Sequence, residues 1–385
     1  MKIDDKTSHN SPSLRFPEFT GEWERCKLGT LATKVGSGST PKGGDAVYTS
    51  IGHYFVRSQN VGMGFLMLDN IAHINDDIHQ KHKATEIYEN DVLLNITGAS
   101  IGRTAVATKE LEGGNVNQHV CIIRTNSKVN PKFLCDYIQT QRIQNHIKSL
   151  QTGGSREGLN FEQIRSFPIS LPSINEQNKL TCLLDKINER IATQVRLIDR
   201  LQSLMKGIRH RIINEAKGKI VCLCEVSDIY QPQTISSADL TETGYPVYGA
   251  NGIIGHYTSY NHEAEQVCIT CRGNTCGGVN YTKSKSWIIG NAMVVNVDRY
   301  QNIVSKRYLY HYLSNCDFNS IISGSGQPQI VRAPLAKFKI ILPTVMQQYK
   351  IAHCLDVIQN KINVNSNILN LLIRQKQYLL RKMFI

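Results

Sequence analysis

Apolar residues recur at alternating steps of three and four along two long stretches of the chain. From Leu180 they fall at Leu184, Ile187, Ile191, Ile198, Leu201, Met205, Ile208 and Ile212, with Gln194 as the polar member of the seam. From Ile351 they fall at Leu355, Ile358, Ile362, Leu369, Leu372, Leu379 and Met383, with Asn365 and Lys376 as the polar members. The spacing predicts two helices of about 40 residues, each ~60 Å long. Gln194 and Asn365 stand near the helix midpoints. Antiparallel packing would therefore bring them together as a buried polar pair that sets helix register at some cost in stability. Lys376 reads as a snorkelling residue, its stem packed and its ammonium reaching outward.

Between these stretches the pattern changes to short β-branched runs bounded by Gly, Asn or Asp. Residues 54–56 and 92–96 read as strands, as do 267–270 and 293–297. A helix is expected over 131–150, with Asn130 as cap and Pro131 in the first turn, and a counterpart over 305–314. A glycine-rich stretch, 35–44, opens the first half, and 245–252 is placed as its counterpart in the second.

These elements occur twice. Phe167-Pro168-Ile169-Ser170-Leu171-Pro172 leads into the first long helix, and Phe338-Lys339-Ile340-Ile341-Leu342-Pro343 leads into the second. Pro172 and Pro343 are 171 positions apart (343 − 172), as are Gln177 and Gln348. Upstream, 93–102 parallels 268–277 at a shift of 175 (273 − 98), and 133–137 parallels 308–312. The ends of the repeated unit are alike and its middle is not, which suits two similar scaffolds carrying different recognition surfaces. The expected fold is α/β (α+β): two duplicated mixed α/β domains joined by two long antiparallel coiled-coil helices with pseudo-two-fold symmetry. The expected bounds are a disordered leader over 1–20, a first domain over 21–173, a helix over 174–216, a second domain over 217–344 and a helix over 345–385.

Composition narrows the partner. Lys and Arg outnumber Asp and Glu by 44 to 31, a formal charge of +13, which favours a polyanion. No apolar run is long enough for a membrane helix, and Met1 to Pro12 is too polar for a secretory signal, so a cytoplasmic location is expected. Eleven cysteines without an export signal read as free thiols. Cys268, Cys271 and Cys276 could hold zinc only with a fourth ligand such as His256 or His262. Their repeat equivalents are Leu93, Ile96 and Ile101, so they read as small buried apolar residues. The polar cluster His73, Asp76, Asp77, His79 and His82 reads as a solvated loop. No metal site is expected.

Several segments resemble a known family. Leu171-Pro172 followed by Glu176-Gln177, and Leu342-Pro343 followed by Gln347-Gln348, are similar to the start of the conserved helices in type I restriction-modification specificity subunits. Phe55-Val56-Arg57-Ser58-Gln59-Asn60, Thr97-Gly98-Ala99-Ser100-Ile101-Gly102 and Pro246-Val247-Tyr248-Gly249-Ala250-Asn251-Gly252 resemble recurrent segments of that family's target recognition domains. The resemblance runs from about Trp23 to Phe384. It departs where Gln347 replaces the Glu176 type and where the second domain is four residues shorter (175 − 171). It implies a non-catalytic reader of double-stranded DNA with a bipartite, gapped target, the gap set by the helices. It further implies docking of two methylation subunits and of motor-nuclease subunits, which would bring S-adenosylmethionine, ATP and magnesium; this chain would hold no cofactor. No G-x-x-x-x-G-K-[ST] loop and no Asn/Asp-Pro-Pro-Tyr segment occurs in the chain.

Base reading needs Arg or Lys for guanine and Asn or Gln for adenine, while small hydroxyls and loop amides position phosphates. In the first half the candidates are Thr40, Lys42, Arg57, Gln59, Asn60, Ser100, Arg103, Ser155 and Arg156. In the second they are Asn251, Arg272, Asn274, Thr275, Gln327 and Gln329. Two other readings stay open. A nuclease or methyltransferase acting alone would bind S-adenosylmethionine or cleave DNA with a divalent metal. A standalone bivalent DNA-bridging or regulatory protein would bind a split target with no partner.

Overall fold

The structure, a computed structural model, describes residues 10–151, 158–324 and 326–385. In chain order the first half contains β1 (Glu24–Lys27), α1 (Leu28–Leu31), β2 (Ala32–Ser37), β3 (His53–Val56), β4 (Ala72–Ile74), α2 (Asp76–Lys81), β5 (Val92–Asn95), β6 (Thr104–Val106), β7 (Asn115–Val116), β8 (Val120–Thr125), α3 (Pro131–Ile138), α4 (Gln141–Gln151), α5 (Phe161–Arg165), β9 (Pro168–Leu171) and the long α6 (Ile174–Glu215). The second half contains β10 (Lys219–Cys222), α7 (Leu223–Val226), β11 (Asp228–Tyr230), β12 (Tyr245–Gly249), β13 (Gly252–Tyr257), β14 (Val267–Thr270), β15 (Val279–Tyr281), β16 (Trp287–Ile288), β17 (Ala292–Asn296), α8 (Lys306–Leu313), β18 (Ile322–Ser323), β19 (Gln329–Ile330), α9 (Arg332–Ala336), β20 (Lys339–Leu342) and the long α10 (Val345–Lys382). The chain forms two compact units, Met1–Thr193 with Leu369–Ile385, and Gln194–Ile368, so each long helix contributes to both.

The duplication read from sequence is a duplication of topology. Unit 1 holds a four-stranded sheet in the order β2-β8-β5-β6, a three-stranded sheet β4-β3-β7 and the pair β1-β9; unit 2 repeats these as β11-β17-β14-β15, β13-β12-β16 and β10-β20, adding the small pair β18-β19. β5 is buried throughout, and its three apolar residues divide between two covered faces: Val92 and Leu94 enter one core cluster and Leu93 another. β14 does the same, with Val267 and Ile269 on one side and Cys268 on the other. Cys268 and Cys271 therefore point into separate apolar clusters, and burial pushes the Cys268 thiol up, as expected of a packed sulfur.

The paired glutamines at 171 spacing explain why the helix-start motif repeats. Gln177 is fully buried; its Oε1 accepts the Asn130 N–H at 2.8 Å, and its Nε2 donates to the carbonyls of Pro172 at 2.9 Å and Lys128 at 3.1 Å. Gln348 does the same with the Ser305 N–H (2.8 Å) and the carbonyls of Pro343 (2.9 Å) and Ile303 (3.0 Å). Each glutamine thus ties the start of a long helix to the turn that caps α3 or α8. Asn130 caps α3, as the sequence predicts, and Ser305, expected as the first residue of the counterpart helix, caps α8. Lys132 pairs with Asp185 at 2.6 Å in unit 1, and Arg307 pairs with Asp356 at the matching place in unit 2.

Three expectations change. The helix expected over 131–150 is two, α3 and α4. Thr140 Oγ1 bonds the Tyr137 carbonyl at 2.7 Å and Gln139 Nε2 bonds that of Cys135, side-chain alternatives that compete with the helical ladder. Residues 10–20, placed in a disordered leader, are packed. Arg15 grips buried Glu176 through two 2.7 Å bonds, and the Leu14 N–H bonds the Lys382 carbonyl. The stretch 245–252 is not the counterpart of 35–44. Its first part is β12, which corresponds to β3; the match for 35–44 is the segment leaving β11.

α6 ends one residue short of its expected span, and α10 ends at Lys382, three residues short of its own. Within unit 2, Leu201 and Met205 of α6 pack against Leu355 and Ile362 of α10, and Gln194 Nε2 donates to Asn365 Oδ1 at 2.6 Å and to the Asn365 carbonyl at 3.1 Å. Gln194→Leu alone is expected to cost about 1–2 kcal/mol, because the partner amide loses its donor. Adding Asn365→Leu should recover most of that loss, giving a clear coupling in a double-mutant cycle of urea unfolding. Simple additivity of the two losses would show that the pair does not interact. Within unit 1 the residues following α10 close the core: the Phe384 ring stacks on Phe133 at 5.4 Å and meets Trp23 edge-on at 6.4 Å. Lys376 does not reach outward. Its Nζ donates to Gln139 Oε1 at 3.1 Å beside the buried Asp136.

Candidate nucleic-acid interface

In each unit the loops at one end of the four-stranded sheet meet. In unit 1 they leave β2 and β5 and enter β6 and β8, and the antiparallel register brings Ser37 opposite Cys121 and Asn95 opposite Val120. In unit 2 the same end is formed by the segments after β11 and β14 and before β15 and β17. The turn after β5 has a fixed shape: the Gly102 N–H bonds the Asn95 carbonyl and the Ile101 N–H that of Gly98. The turn after β14 copies it, with Gly277 bonding Thr270 and Cys276 bonding Gly273. All four glycines have φ between +69° and +90°, a backbone region that side chains disfavour.

Strand-end polar residues stitch the neighbouring loops to these turns. Buried Asn95 donates from Nδ2 to the Ser58 carbonyl (2.8 Å) and to Ser100 Oγ (3.2 Å). At the same place in unit 2, Thr270 Oγ1 donates to the Ala250 carbonyl. Gly38 passes so close to β7 that a Cβ would lie 1.7 Å from the Val116 carbonyl oxygen, so only glycine lets the β2 loop enter this edge.

Most of the candidates fall on these rims. Thr40, Lys42, Gln59 and Arg103 are exposed there and Ser100 is half-buried. Arg57 is half-buried at the end of β3, its guanidinium 5.3 Å over the Tyr48 ring, and its Nε has no hydrogen-bond partner among the described residues. Arg272, Asn274 and Thr275 lie on the turn after β14, and Arg272 bridges through its backbone to Gln329. Asn251 sits on the turn between β12 and β13, and Gln327 and Gln329 are exposed on the neighbouring hairpin. Asn60 leaves the set. It is 3% exposed and its amide holds the turn, accepting the Arg57 N–H at 3.0 Å and donating to the Met67 carbonyl at 2.9 Å. Ser155 and Arg156 lie outside the described residues.

The histidine and aspartate cluster separates onto different partners. His79 is buried against Asn115 (2.7 Å), Asp76 bonds His53 (2.7 Å) and His82 bonds Ser39 (3.0 Å). Missed by sequence reasoning were Gln118 and His119 before β8 and Asn291 before β17. Their turns are short and unpatterned, and they join the rim only through strand pairing.

Charge divides the sheet ends. Residues 37–43, 57–62, 95–103 and 117–119 contain no carboxylate, and neither do 231–236, 250–254, 271–278, 289–291 and 326–330. The opposite ends carry Glu89, Asp91, Glu110 and Glu112 in unit 1 and Glu263, Glu265 and Asp298 in unit 2. Acid-free rims bearing cations, amides and hydroxyls suit a polyanion with readable base edges.

Fold and rims together define a duplicated, two-module nucleic-acid-recognition protein. Comparison with known proteins gives the family. The type I restriction modification DNA specificity domain matches the chain twice, over residues 20–203 and 216–374. The specificity subunit of the type I restriction enzyme EcoprrI of Escherichia coli is 25% identical over 291 residues, 70% of this chain and 71% of that protein. The crystal structure of the S subunit of a type I restriction-modification system from M. genitalium superposes with a TM-score of 0.67 at 15% identity, covering 97% of this chain and 99% of that one. A chain from a structure on complex assembly and conformational transition of the type I system gives 0.55 at 18% identity, covering 94% and 97%. The chain belongs to the type I restriction-modification DNA specificity family. Its role is recognition of DNA sequence, and it is a non-catalytic subunit. Among the described residues no helix is long and apolar enough to cross a membrane.

Proposed function

We propose that each unit reads one half of a bipartite, gapped double-stranded DNA target through its acid-free rim, with the long helices setting the gap. The absence of carboxylates from the described rim segments, with acids gathered at the opposite sheet ends, is the observation that carries this reading. Thr40, Lys42, Gln59, Ser100 and Arg103, with Ser155 and Arg156, serve unit 1; Asn251, Arg272, Asn274, Thr275, Gln327 and Gln329 serve unit 2. Arg57, its guanidinium held over the Tyr48 ring, is the cation of unit 1 best placed for a guanine or phosphate. Two methylation subunits dock on the chain and supply S-adenosylmethionine chemistry, and motor-restriction subunits supply ATP- and magnesium-dependent cleavage, all in the cytoplasm.

The test is long-read mapping of N6-methyladenine in the host, with and without this gene. A split, gapped motif that vanishes on deletion is the expected result. A methylome unchanged by deletion, in cells shown to express the protein, would overturn the reading.

A further inference from the structure

The turn before β8 carries a side chain that no motif singles out. Gln118 is exposed, yet its amide is held at both atoms: Thr40 Oγ1 donates to its Oε1, and its Nε2 lies 3.0 Å from His119 Nε2. His119 is fixed in turn. Its Nδ1 lies 2.5 Å from Thr97 Oγ1, its N–H donates to Asn117 Oδ1 at 3.0 Å, and its carbonyl accepts the Ile96 N–H at 3.0 Å. The tautomer with the proton on Nδ1 makes every bond in this row run one way, from Thr40 through Gln118 and His119 to Thr97.

We propose that Gln118 is a base-reading residue of unit 1 with an adenine as its target, and that His119 is its positioning residue. A primary amide has two N–H donors and an oxygen with two lone pairs. With one bond made on each atom, the exposed Gln118 amide keeps one donor and one acceptor on adjacent atoms. That is the complement of adenine N6 and N7 in the major groove. A free surface glutamine loses rotamer freedom on binding, and the row has already removed much of that freedom.

Unit 2 cannot use this device. The place of Gln118 is taken by Gly290, pinned by Gln231 Nε2 to its carbonyl (3.1 Å) and by Thr234 Oγ1 to its N–H (3.1 Å). A Cβ there would lie 2.8 Å from Thr234 Oγ1 and 3.1 Å from the Pro232 carbonyl oxygen, so a side chain would displace Thr234 from the Gly290 N–H. Thr234 stands where unit 1 has Thr40, and the next residue, Asn291, is exposed. The two units therefore share the loop frame and differ at this reading position.

The proposal rests on the reading of the chain as a specificity subunit, and one experiment separates the two. The assembled methylation complex is made with wild-type chain, Gln118→Ala and Gln118→Glu, and the methylated motif is mapped on random-sequence DNA. Gln118→Ala should lose discrimination at one base pair of one half-target, by roughly 10- to 100-fold, with the other half unchanged. Gln118→Glu, which keeps the acceptors and loses the donors, should shift that position toward cytosine. His119→Ala should relax the same position more weakly. A Gln118→Ala complex that methylates the wild-type motif unaltered, at full or uniformly reduced rate, overturns the proposal and leaves the specificity role intact. A wild-type complex with no gapped motif overturns both.

Discussion

Gln177→Leu is expected to destabilise unit 1 by about 3–6 kcal/mol, and Gln348→Leu to do the same to unit 2. Leucine fits the volume and satisfies nothing. It would leave the Asn130 N–H and the carbonyls of Lys128 and Pro172 buried without partners, each costing ~1–3 kcal/mol. The neighbour gives the contrast. Gln347 is exposed and only caps α10 against Thr344, so Gln347→Ala should cost about 1 kcal/mol or less. Urea unfolding combined with hydrogen exchange at 128–134 and 303–309 reads each unit separately. If Gln348→Leu unfolds at the wild-type midpoint, the latch is not what joins the helix start to the α8 turn. The repeated motif would then need another explanation.

That latch shows what a sequence discloses and what it conceals. The 171-residue repeat was legible because the constraint is local: a buried glutamine five residues beyond a proline recurs wherever the same joint is built. The helical seams were legible for a similar reason, since periodicity survives substitution of individual apolar residues. Even the pair Gln194 and Asn365 followed from counting along two seams. The rims were only partly legible. Thr97 and Gly158 meet by a backbone bridge, and Arg272 meets Gln329, across separations that no local pattern encodes. Asn60 illustrates the opposite error, because an Asn that reads a base and an Asn that closes a turn look the same in sequence. Residues 10–20 misled because their partners are far along the chain: Arg15 pairs with Glu176, Glu18 with Lys179, and Phe16 packs on the unit 1 core.

The two units should respond to pH in opposite directions. Asp136 of α3 and His311 of α8 occupy equivalent places in the repeat, and both are buried against the long helices. Burial raises the Asp136 carboxyl to about 7, opposed by the charge of Lys376, with Asp185 and Lys132 also nearby. An unfolded aspartate titrates near 4, so between about pH 4 and 7 folded unit 1 keeps a proton that the unfolded chain has released. Stability from this group is therefore full below about pH 4 and is lost as pH rises through 7. The loss is up to about 4 kcal/mol over three pH units. His311 behaves in reverse. Burial lowers it to about 4, although its Nε2 bonds Asp356 at 2.8 Å, with Arg307 and Arg209 adding repulsion. The unfolded histidine takes up its proton near 6.5, so unit 2 is stabilised above that pH and loses up to about 3 kcal/mol as pH falls toward 4. Burial works against the ionised Asp356, yet bonds from Arg307 and His311 hold it below the usual carboxylate range, so its own contribution is lost only below about pH 4. Hydrogen exchange measured from pH 4.5 to 8 should show core amides of unit 1 opening more readily as pH rises and those of unit 2 more readily as it falls. Asp136→Asn should flatten the first slope and His311→Gln the second. Slopes of the same sign in both units would mean that the buried groups at 136 and 311 are not titrating where their surroundings place them.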